Sequence, residues 1–281
     1  MSLVTLKEVL DKAYKEKYAV PAFNFWTHED AKAIVRGAEE MKSPVILMSS
    51  GSCIKGLGLE LAAFTIQHLA KYSKVPVVLH LDHADNLDLI FRAMKCGYTG
   101  IMYDGSMLDV EENIKNTILV IKVAHALGIS VEAEIGRVGR GEEGQIITEI
   151  LTEPEAAAMF FEKTGVDALA VAIGTSHGMQ KQEAKIHYEI VQGLTNAVNA
   201  PLVLHGSSGV KDEDLIRLSK TAFSKINIGT KLKSVYVEGM RKALADDPST
   251  KDSSKILAKA SEMITQTVME KISLLGSKNK A

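Results

Sequence analysis

The feature that most constrains the fold of this chain is a repeated alternation of short apolar runs with longer stretches of helical periodicity. Eight such runs occur, at residues 18–25, 44–51, 75–83, 100–106, 129–136, 168–178, 201–209 and 225–232. Short apolar runs that alternate with helical segments are typical of parallel strands joined by crossover helices, and their continuous apolar character indicates burial on both faces. Eight such units favour an α/β fold, a closed (β/α)8 barrel (TIM barrel), over an open doubly wound sheet.

The ends of the chain predict how this barrel is completed. Helical periodicity before Tyr18 predicts an N-terminal helix that caps the bottom of the barrel, and residues of about 251–275 predict one long final helix. The last six residues predict a frayed tail. Among the crossover helices, the one over residues 153–165 is predicted to have Thr152 as its N-cap and to end at Gly165. We therefore predict a single domain over residues 1–281.

The overall charge and the cysteine content exclude several classes of partner. The formal net charge is −2 in 281 residues, so we expect no nucleic-acid partner. No apolar run approaches the roughly 18 residues that span a bilayer, and we expect no membrane partner. Cys53 and Cys96 are too few for a disulfide framework or a thiolate metal site, which predicts a reducing, cytoplasmic location.

Polar side chains end six consecutive predicted strands. They are Asp82 and His83, Asp104, Glu132 and Glu134, Ser176 and His177, His205, and Asn227. Because the carboxyl ends of barrel strands meet on one face, we expect these side chains to share one rim, where barrel enzymes build their active sites. Three imidazoles with an open fourth position are a common catalytic zinc set, so His83, His177 and His205 are predicted to bind Zn²⁺.

Two glycine-containing loops follow the last two predicted strands. The segments HGSSGV at 205–210 and NIGT at 227–230 lie where barrels often build a phosphate site from backbone N–H groups and hydroxyls. Glycines there, and Gly178 after the sixth run, let the backbone approach an anion closely. Lys181 is a candidate local positive charge.

The loop after the fifth run, residues 136–145, is rich in glycine and charge. Its lack of apolar anchors predicts a mobile segment that closes over a ligand. Glu142 and Glu143 on this loop are candidates to deliver a carboxylate into the site.

Six motifs in this order resemble one known family. They are LHLDH at 79–83, YDGS at 103–106, VEAEIG at 131–136, GTSHG at 174–178, LHGSSG at 204–209 and INIGT at 226–230. Together they resemble the class II, zinc-dependent ketose-bisphosphate aldolases, which include fructose-bisphosphate and tagatose-bisphosphate aldolases and belong to carbohydrate metabolism such as glycolysis. The resemblance covers essentially the whole chain.

The resemblance implies a role for each matching residue around the metal. It implies that the three histidines bind the catalytic zinc and that Asp82 moves a proton at the hydroxyl of the aldehyde half. Asp104 and Glu134 match positions that hold the metal in an alternative, retracted location. Glu142, eight residues after Glu134, matches the loop base that acts at the ketone's alpha carbon. Asn227 matches the residue that steadies the enediolate.

The same resemblance implies a lyase that cleaves a phosphorylated ketose to dihydroxyacetone phosphate and an aldehyde. The residues that match the dihydroxyacetone phosphate site are Gly178, Gly206, Ser207, Ser208, Asn227, Ile228, Gly229 and Thr230. A monovalent cation near the phosphate is implied by the resemblance alone. The family and the long final helix together suggest a homodimer or homotetramer.

Two alternatives remain open from the sequence. The three histidines are also able to activate a water molecule in a metal-dependent hydrolase, and an Asn227→Ala change would leave such a hydrolase nearly intact. Ala84, Gln180 and Lys231 depart from residues usual in the family, which allows a non-catalytic phosphosugar-binding homologue. The retained metal ligands, Asp82 and Glu142 favour the aldolase.

Overall fold

Eight parallel strands close into a barrel in the computed structural model, which describes residues 2–142, 145–179 and 181–281. The eleven strands of these segments are β1 (Val20–Asn24), β2 (Val45–Ser49), β3 (Val77–Ala84), β4 (Gly100–Tyr103), β5 (Ser130–Ile135), β6 (Gly139–Glu142), β7 (Gln145–Ile147), β8 (Ala168–Val171), β9 (Ser176–His177), β10 (Leu202–Leu204) and β11 (Phe223–Ile228). The barrel order is β1-β2-β3-β4-β5-β8-β10-β11, and β11 pairs with β1. The predicted (β/α)8 barrel and its eight strands are confirmed.

Helices separate the barrel strands and cover the outside. They are α1 (Leu6–Glu16), α2 (His28–Met41), α3 (Gly51–Leu57), α4 (Leu59–Tyr72), α5 (Leu87–Lys95), α6 (Val110–Ala126), α7 (Pro154–Thr164), α8 (Tyr188–Ala197), α9 (Asp212–Leu218), α10 (Thr230–Asp246) and α11 (Ser253–Leu275). Local sequence fixes several starts, because Thr5 with Glu8 and Thr27 with Asp30 form capping boxes that satisfy the first N–H groups of α1 and α2. No helix in the described segments is long and apolar enough to cross a membrane.

The apolar side chains form two clusters on the two faces of the barrel strands. Leu79 and Leu81 of β3 point outward into the larger cluster beneath the helices, whereas Val78 points inward. This inner cluster is completed by α1, whose Leu6 and Leu10 are fully buried against it. Alternation along each strand therefore separates a helix-covered face from a barrel interior, and α1 closes the amino end as predicted.

Two predicted details of the fold are wrong. Thr152 does not cap α7; its hydroxyl donates to the carbonyl of Ile135 at 2.7 Å and accepts from the N–H of Ala172 at 2.8 Å, so it ties two barrel segments together. Glu153 occupies the N-cap position, and Pro154 starts the helix, where its missing N–H is not needed. The tail is not frayed, because Ser277 is fully buried and accepts a hydrogen bond from Ser43 at 2.9 Å.

The glycine-rich segment after β5 contains regular structure in its described part. Strands β6 and β7 pair as an antiparallel hairpin, and β6 also pairs in parallel with β9, which carries His177. Sequence composition predicted only a mobile loop here. The pairing connects this segment directly to the strand that presents one of the candidate metal ligands.

Candidate active site

Three histidines from three different strands meet at the carboxyl end of the barrel. His83 lies in β3, His177 in β9, and His205 directly follows β10. Their ring centroids are 4.9 Å apart for His83 and His177, 4.5 Å for His83 and His205, and 5.7 Å for His177 and His205. One nitrogen from each ring lies within 4.8 Å of the other two, which is close enough for one metal ion to bind all three.

The backbone at His83 takes an uncommon conformation that brings two neighbours into the site. Its φ is 51°, in the left-handed region, and the pairing of β3 with β4 shifts register between Leu81 and Ala84. Successive residues of a regular strand point to opposite faces, yet Asp82 and His83 line the same cavity. The irregularity in β3 therefore aims both side chains inward, as bulges near active sites do.

Asp104 and Glu134 form a second group of candidate ligands that shares His83. The Nδ1 atom of His83 lies 2.7 Å from Asp104 Oδ2, and ligand atoms of the three residues lie within 4.8 Å of one another. One oxygen of Glu134 accepts from the N–H of Val138 at 3.0 Å, while the other is buried with no hydrogen-bond partner among the described residues. His83 therefore stands between two adjacent positions at which a cation would find three donors.

The charges of this group shift one another's protonation. Burial works against a charged His83, but the Asp82 and Asp104 carboxylates outweigh it and raise the pKa of His83 to about 9. The His83 charge in turn outweighs burial at Asp104 and holds the pKa of that carboxyl below its ordinary value. Burial, reinforced by the Asp104 charge, raises the pKa of Glu134 to about 7. Burial and the His83 charge hold the pKa of His205 well below its ordinary range.

Asp82 is held between two amides. Asn24 Nδ2 donates to one of its oxygens at 2.9 Å, and Asn227 Nδ2 lies 3.4 Å from the other. Burial would raise the pKa of Asp82, but the charge of the neighbouring His83 outweighs it, so the pKa stays below its ordinary value. Asp82 is therefore an oriented, ionised carboxylate beside the histidine group.

A cavity of about 330 Å³ opens above these residues. Its lining includes Asp82, His83, His177 and Asn227, together with Gly178, Gly206, Ser207, Ser208, Gly229 and Thr230 from the predicted phosphate loops. It also includes residues that the sequence analysis missed, which are Asn24, Trp26, Ser50, Gly51, Ser52 and Lys233. Asn24 ends β1, and most of the others directly follow β1 or β2. The expectation that polar residues at strand ends line the active site, applied to the first two strands as well, would have found Asn24 and Ser50. No sequence signal identified Lys233.

The two phosphate loops are built for close backbone approach. Gly206 has φ 69°, and a Cβ there would lie 2.8 Å from the carbonyl carbon of Ser176. The Ser207 hydroxyl donates to the backbone carbonyl of Asn227, which ties the loop after β10 to the end of β11. A Cβ at Gly229 would lie 2.6 Å from Asn24 Oδ1. At both positions the absence of a Cβ lets the loop pack closely against a neighbouring strand end, and both loops line the cavity.

Several predicted site residues lie away from the cavity or outside the described part of the structure. Lys181 is exposed and does not line the cavity, and the Ile228 side chain is buried in the outer core. Glu142 ends β6, but its side chain lies outside the described part of the structure, as do Glu143 and Gln180 entirely. Glu132, predicted at the rim, instead lies fully buried beneath His205, whose Nε2 is 2.9 Å from its carboxylate.

Comparisons with known proteins agree with this geometry. The sequence profile described as "Fructose-bisphosphate aldolase class-II" matches residues 4–280. A sulfofructosephosphate aldolase of Alkalicoccus urumqiensis is 37% identical, with 100% of this chain and 99% of the relative covered. A fructose-bisphosphate aldolase of Thermus caldophilus is 38% identical, with 99% of this chain and 100% of the relative covered. The crystal structure of the YdjI aldolase from Escherichia coli K12 has 33% identity and a TM-score of 0.88, with 99% of each chain covered.

These matches extend over nearly all of the chain and include the elements that carry the histidine group and the phosphate loops. They favour a lyase over the hydrolase and the non-catalytic alternatives that the sequence left open. The chain belongs to the class II fructose-bisphosphate aldolase family and is a lyase.

Proposed function

We propose that this protein catalyses reversible aldol cleavage of a phosphorylated ketose, of the fructose 1,6-bisphosphate or tagatose 1,6-bisphosphate type, with Zn²⁺ as its metal. The products are dihydroxyacetone phosphate and an aldehyde. The observation that carries the proposal is one cavity lined by His83, His177, Asp82 and two glycine-rich loops, with His205 in the same group of candidate ligands. The family acts on phosphorylated sugars, which is consistent with that lining.

The donor set fits a zinc ion. His205 Nδ1 and His83 Nε2 lie 2.8 Å apart and face the same space, and His177 completes a group of three imidazoles. When bound, Zn²⁺ would supply a Lewis acid that polarises the ketone carbonyl of the substrate. We assign Asp104 and Glu134, with His83, to an alternative position of the metal. A monovalent cation near the phosphate loops stays a prediction.

Asp82 is proposed as the group that moves a proton at the hydroxyl of the aldehyde half. In the cleavage direction this hydroxyl must lose its proton as the carbon–carbon bond breaks, and an ionised carboxylate accepts it. The depressed pKa of Asp82 keeps it in that accepting form at neutral pH. Its two amide neighbours fix the direction in which its free lone pairs point.

Asn227 and the loops around it are proposed to bind the dihydroxyacetone phosphate half. The Asn227 amide lies 3.2 Å from His205 Nδ1, next to the proposed metal, where it would steady the enediolate oxygen. Backbone N–H groups and hydroxyls of residues 206–208 and 229–230, with Gly178, would bind the phosphate. Lys233 adds a positive charge to the cavity lining. Lys181 and Ile228 stay predictions as binding residues.

Glu142 is proposed as the base at the alpha carbon of the ketone. The support is its position in the motif order and its place in β6, which pairs with the strand that holds His177. The register partner of His177 in β6 is Arg140, two residues before Glu142. An activity that survives Glu142→Gln would remove it from this role.

The deciding experiment is a coupled assay over a panel of ketose phosphates. The panel includes fructose 1,6-bisphosphate, tagatose 1,6-bisphosphate and sulfofructose phosphate, the last because one relative bears that name. Each is tested as purified, after complete chelation, and after Zn²⁺ is restored. We expect chelation to abolish cleavage and Zn²⁺ to restore it. Cleavage that survives complete metal removal would exclude the metal mechanism, and no cleavage of any panel member would exclude the substrate class.

The wider organisation is part of the same proposal. We propose that residues 1–281 act as one catalytic domain and that the protein is a homodimer or homotetramer in a reducing cytoplasm. Two unpaired thiols, Cys53 and Cys96, are consistent with that compartment. Light scattering on the purified protein measures its mass directly and tests the oligomer.

A further inference from the structure

A buried charged group lies inside the barrel directly beneath the histidine group, and none of the roles assigned above uses it. It consists of Glu132 on β5, Lys225 on β11 and His80 on β3, and each is fully buried. Lys225 Nζ donates to Glu132 Oε2 at 2.7 Å, and His80 Nε2 lies 3.4 Å from the same oxygen. The other oxygen, Oε1, lies 2.9 Å from His205 Nε2.

These contacts determine which nitrogen of His205 carries hydrogen. Glu132 Oε2 accepts from Lys225 and Glu132 Oε1 lies 2.9 Å from His205 Nε2, so the geometry makes Glu132 the acceptor for a hydrogen on Nε2. A histidine that binds a metal is neutral, which leaves its lone pair on Nδ1. That atom faces His83 Nε2 at 2.8 Å and therefore points into the proposed metal position. Glu132 thus selects the tautomer in which His205 is ready to bind.

The side chains around Glu132 and Lys225 are apolar, so apolar residues would also pack at these two positions. The register partners of Glu132 and Lys225 on neighbouring strands are Met102, Ala168, Val20 and Val203, all members of the inner apolar cluster. Replacing a buried ion pair by apolar side chains of similar volume is often neutral or stabilising. Barrel packing alone therefore gives no reason to bury these two charges here.

We propose that Glu132 and Lys225 are a positioning pair for metal binding. Glu132 fixes His205 as an Nδ1 ligand, and Lys225 holds the second carboxylate oxygen below the site so that Glu132 does not become a ligand itself. The inference rests on the proposed metal site, and it adds two residues, 93 positions apart, that do not line the substrate cavity.

The test measures affinity of the metal-free full-length protein for Zn²⁺ alone, in competition with a chelating dye. The variant Glu132→Leu with Lys225→Met removes both charges and the acceptor. We expect its Zn²⁺ affinity to fall about 10–100-fold, as for other residues that orient metal-bound histidines. Its melting temperature without metal should be unchanged or higher. The control Ser43→Ala removes a buried hydrogen bond just before β2, at the amino end of the barrel. It should change the melting temperature without changing Zn²⁺ affinity.

A second readout is the tautomer itself, measured by ¹⁵N NMR of the histidine rings in the metal-free protein. The wild type should show His205 protonated at Nε2, and the variant should lose that preference. If the double variant does not fold, Glu132→Gln with Lys225→Met replaces it, and its neutral amide should still weaken Zn²⁺ binding, by about tenfold.

Wild-type affinity or an unchanged tautomer in the folded variant would overturn the positioning role. Failure of the wild type to bind Zn²⁺ at all would instead overturn the proposed metal site.

Discussion

The two ends of the barrel use the same strands for different purposes. At the amino end, inward side chains such as Val78 on β3 belong to one apolar cluster with Leu6 and Leu10 of α1. Further along the same strands, the residues that enter the active-site region are Asp82 on β3 and Asp104 after β4. The amino end is sealed by a helix, while the carboxyl end opens into a cavity.

This difference shows how one architecture separates stability from chemistry over a distance of a few residues. Inward positions on a strand recur every second residue. A single strand therefore presents, from its amino to its carboxyl end, an apolar side chain, a buried polar side chain and a side chain proposed to act in catalysis. On β3 the series is Val78, His80 and Asp82. Substitutions at the two ends should therefore produce opposite patterns, with activity lost at one end and stability lost at the other.

The largest expected effect is at the carboxyl end. Asp82→Asn keeps the shape of the side chain but removes its ability to accept a proton, so kcat for cleavage should fall about 100- to 10,000-fold. The melting temperature should change little. The control Asp88→Asn alters an exposed carboxylate on α5 and should leave kcat unchanged. A kcat within threefold of wild type for Asp82→Asn would remove Asp82 from the proton transfer.

The complementary change is at the amino end. Leu10→Ala removes a fully buried side chain from the interface of α1 with the barrel interior, and the free energy of unfolding should fall by about 2–5 kcal/mol. The kcat of the folded enzyme should not change, because Leu10 does not line the cavity. Leu61→Ala, at a side chain 52% exposed, is the matched control and should have little effect. A large fall in kcat for Leu10→Ala would show that the ends are coupled.

A smaller effect is expected at Gly206, where one substitution should change both stability and substrate binding. Gly206→Ala and Gly128→Ala place a side chain at similar φ values of 69° and 71°, which destabilises each protein by about 1–2 kcal/mol. Only Gly206 also meets the Ser176 backbone, whereas nothing lies near Gly128. Gly206→Ala should therefore also raise KM for the ketose phosphate, about tenfold if binding loses about 1.4 kcal/mol. Equal KM values for the two variants would argue against the phosphate loop.

The smallest effect is expected at His80, which lies inside the barrel between its amino and carboxyl ends. Burial and the nearby Lys225 hold the pKa of His80 well below its ordinary value, so His80 stays neutral in the folded state and gains a proton on unfolding. Stability is therefore lost as pH falls below the unfolded value of about 6.5, by about 1.4 kcal/mol for each pH unit. Because His205 contributes in the same direction in both proteins, denaturation between pH 7 and 5 should show a steeper loss of stability in wild type than in His80→Leu. Parallel curves would contradict it.

The sequence predicted the barrel well because its information is periodic. Apolar runs at regular spacing define strands and crossovers, and polar residues at strand ends define the rim, so the positions of His83 and His205 followed from pattern alone. Lys233 was missed because it lies inside a helix, α10, and not at the end of a strand. Thr152 was misassigned because hydroxyl residues suit both helix caps and loop contacts, and only the tertiary fold decides between them.

The pairing of Glu132 with Lys225 could not be predicted from the sequence. These two residues lie on β5 and β11, which are not neighbours in the barrel, and they meet only across its interior. Strand periodicity places both side chains inward but does not say how far up the barrel each one lies. That height depends on strand stagger, which is a property of the closed sheet.

The left-handed backbone at His83 has a consequence for how sequences of this kind change. An L-residue in that conformation is destabilised by about 1–2 kcal/mol, and glycine or asparagine would relieve most of it. In a descendant that no longer used the imidazole, replacement of His83 would therefore be favoured by stability alone. A histidine retained at this single position in a diverged copy is thus a physical sign that selection for the activity continues, even where the rest of the rim has changed.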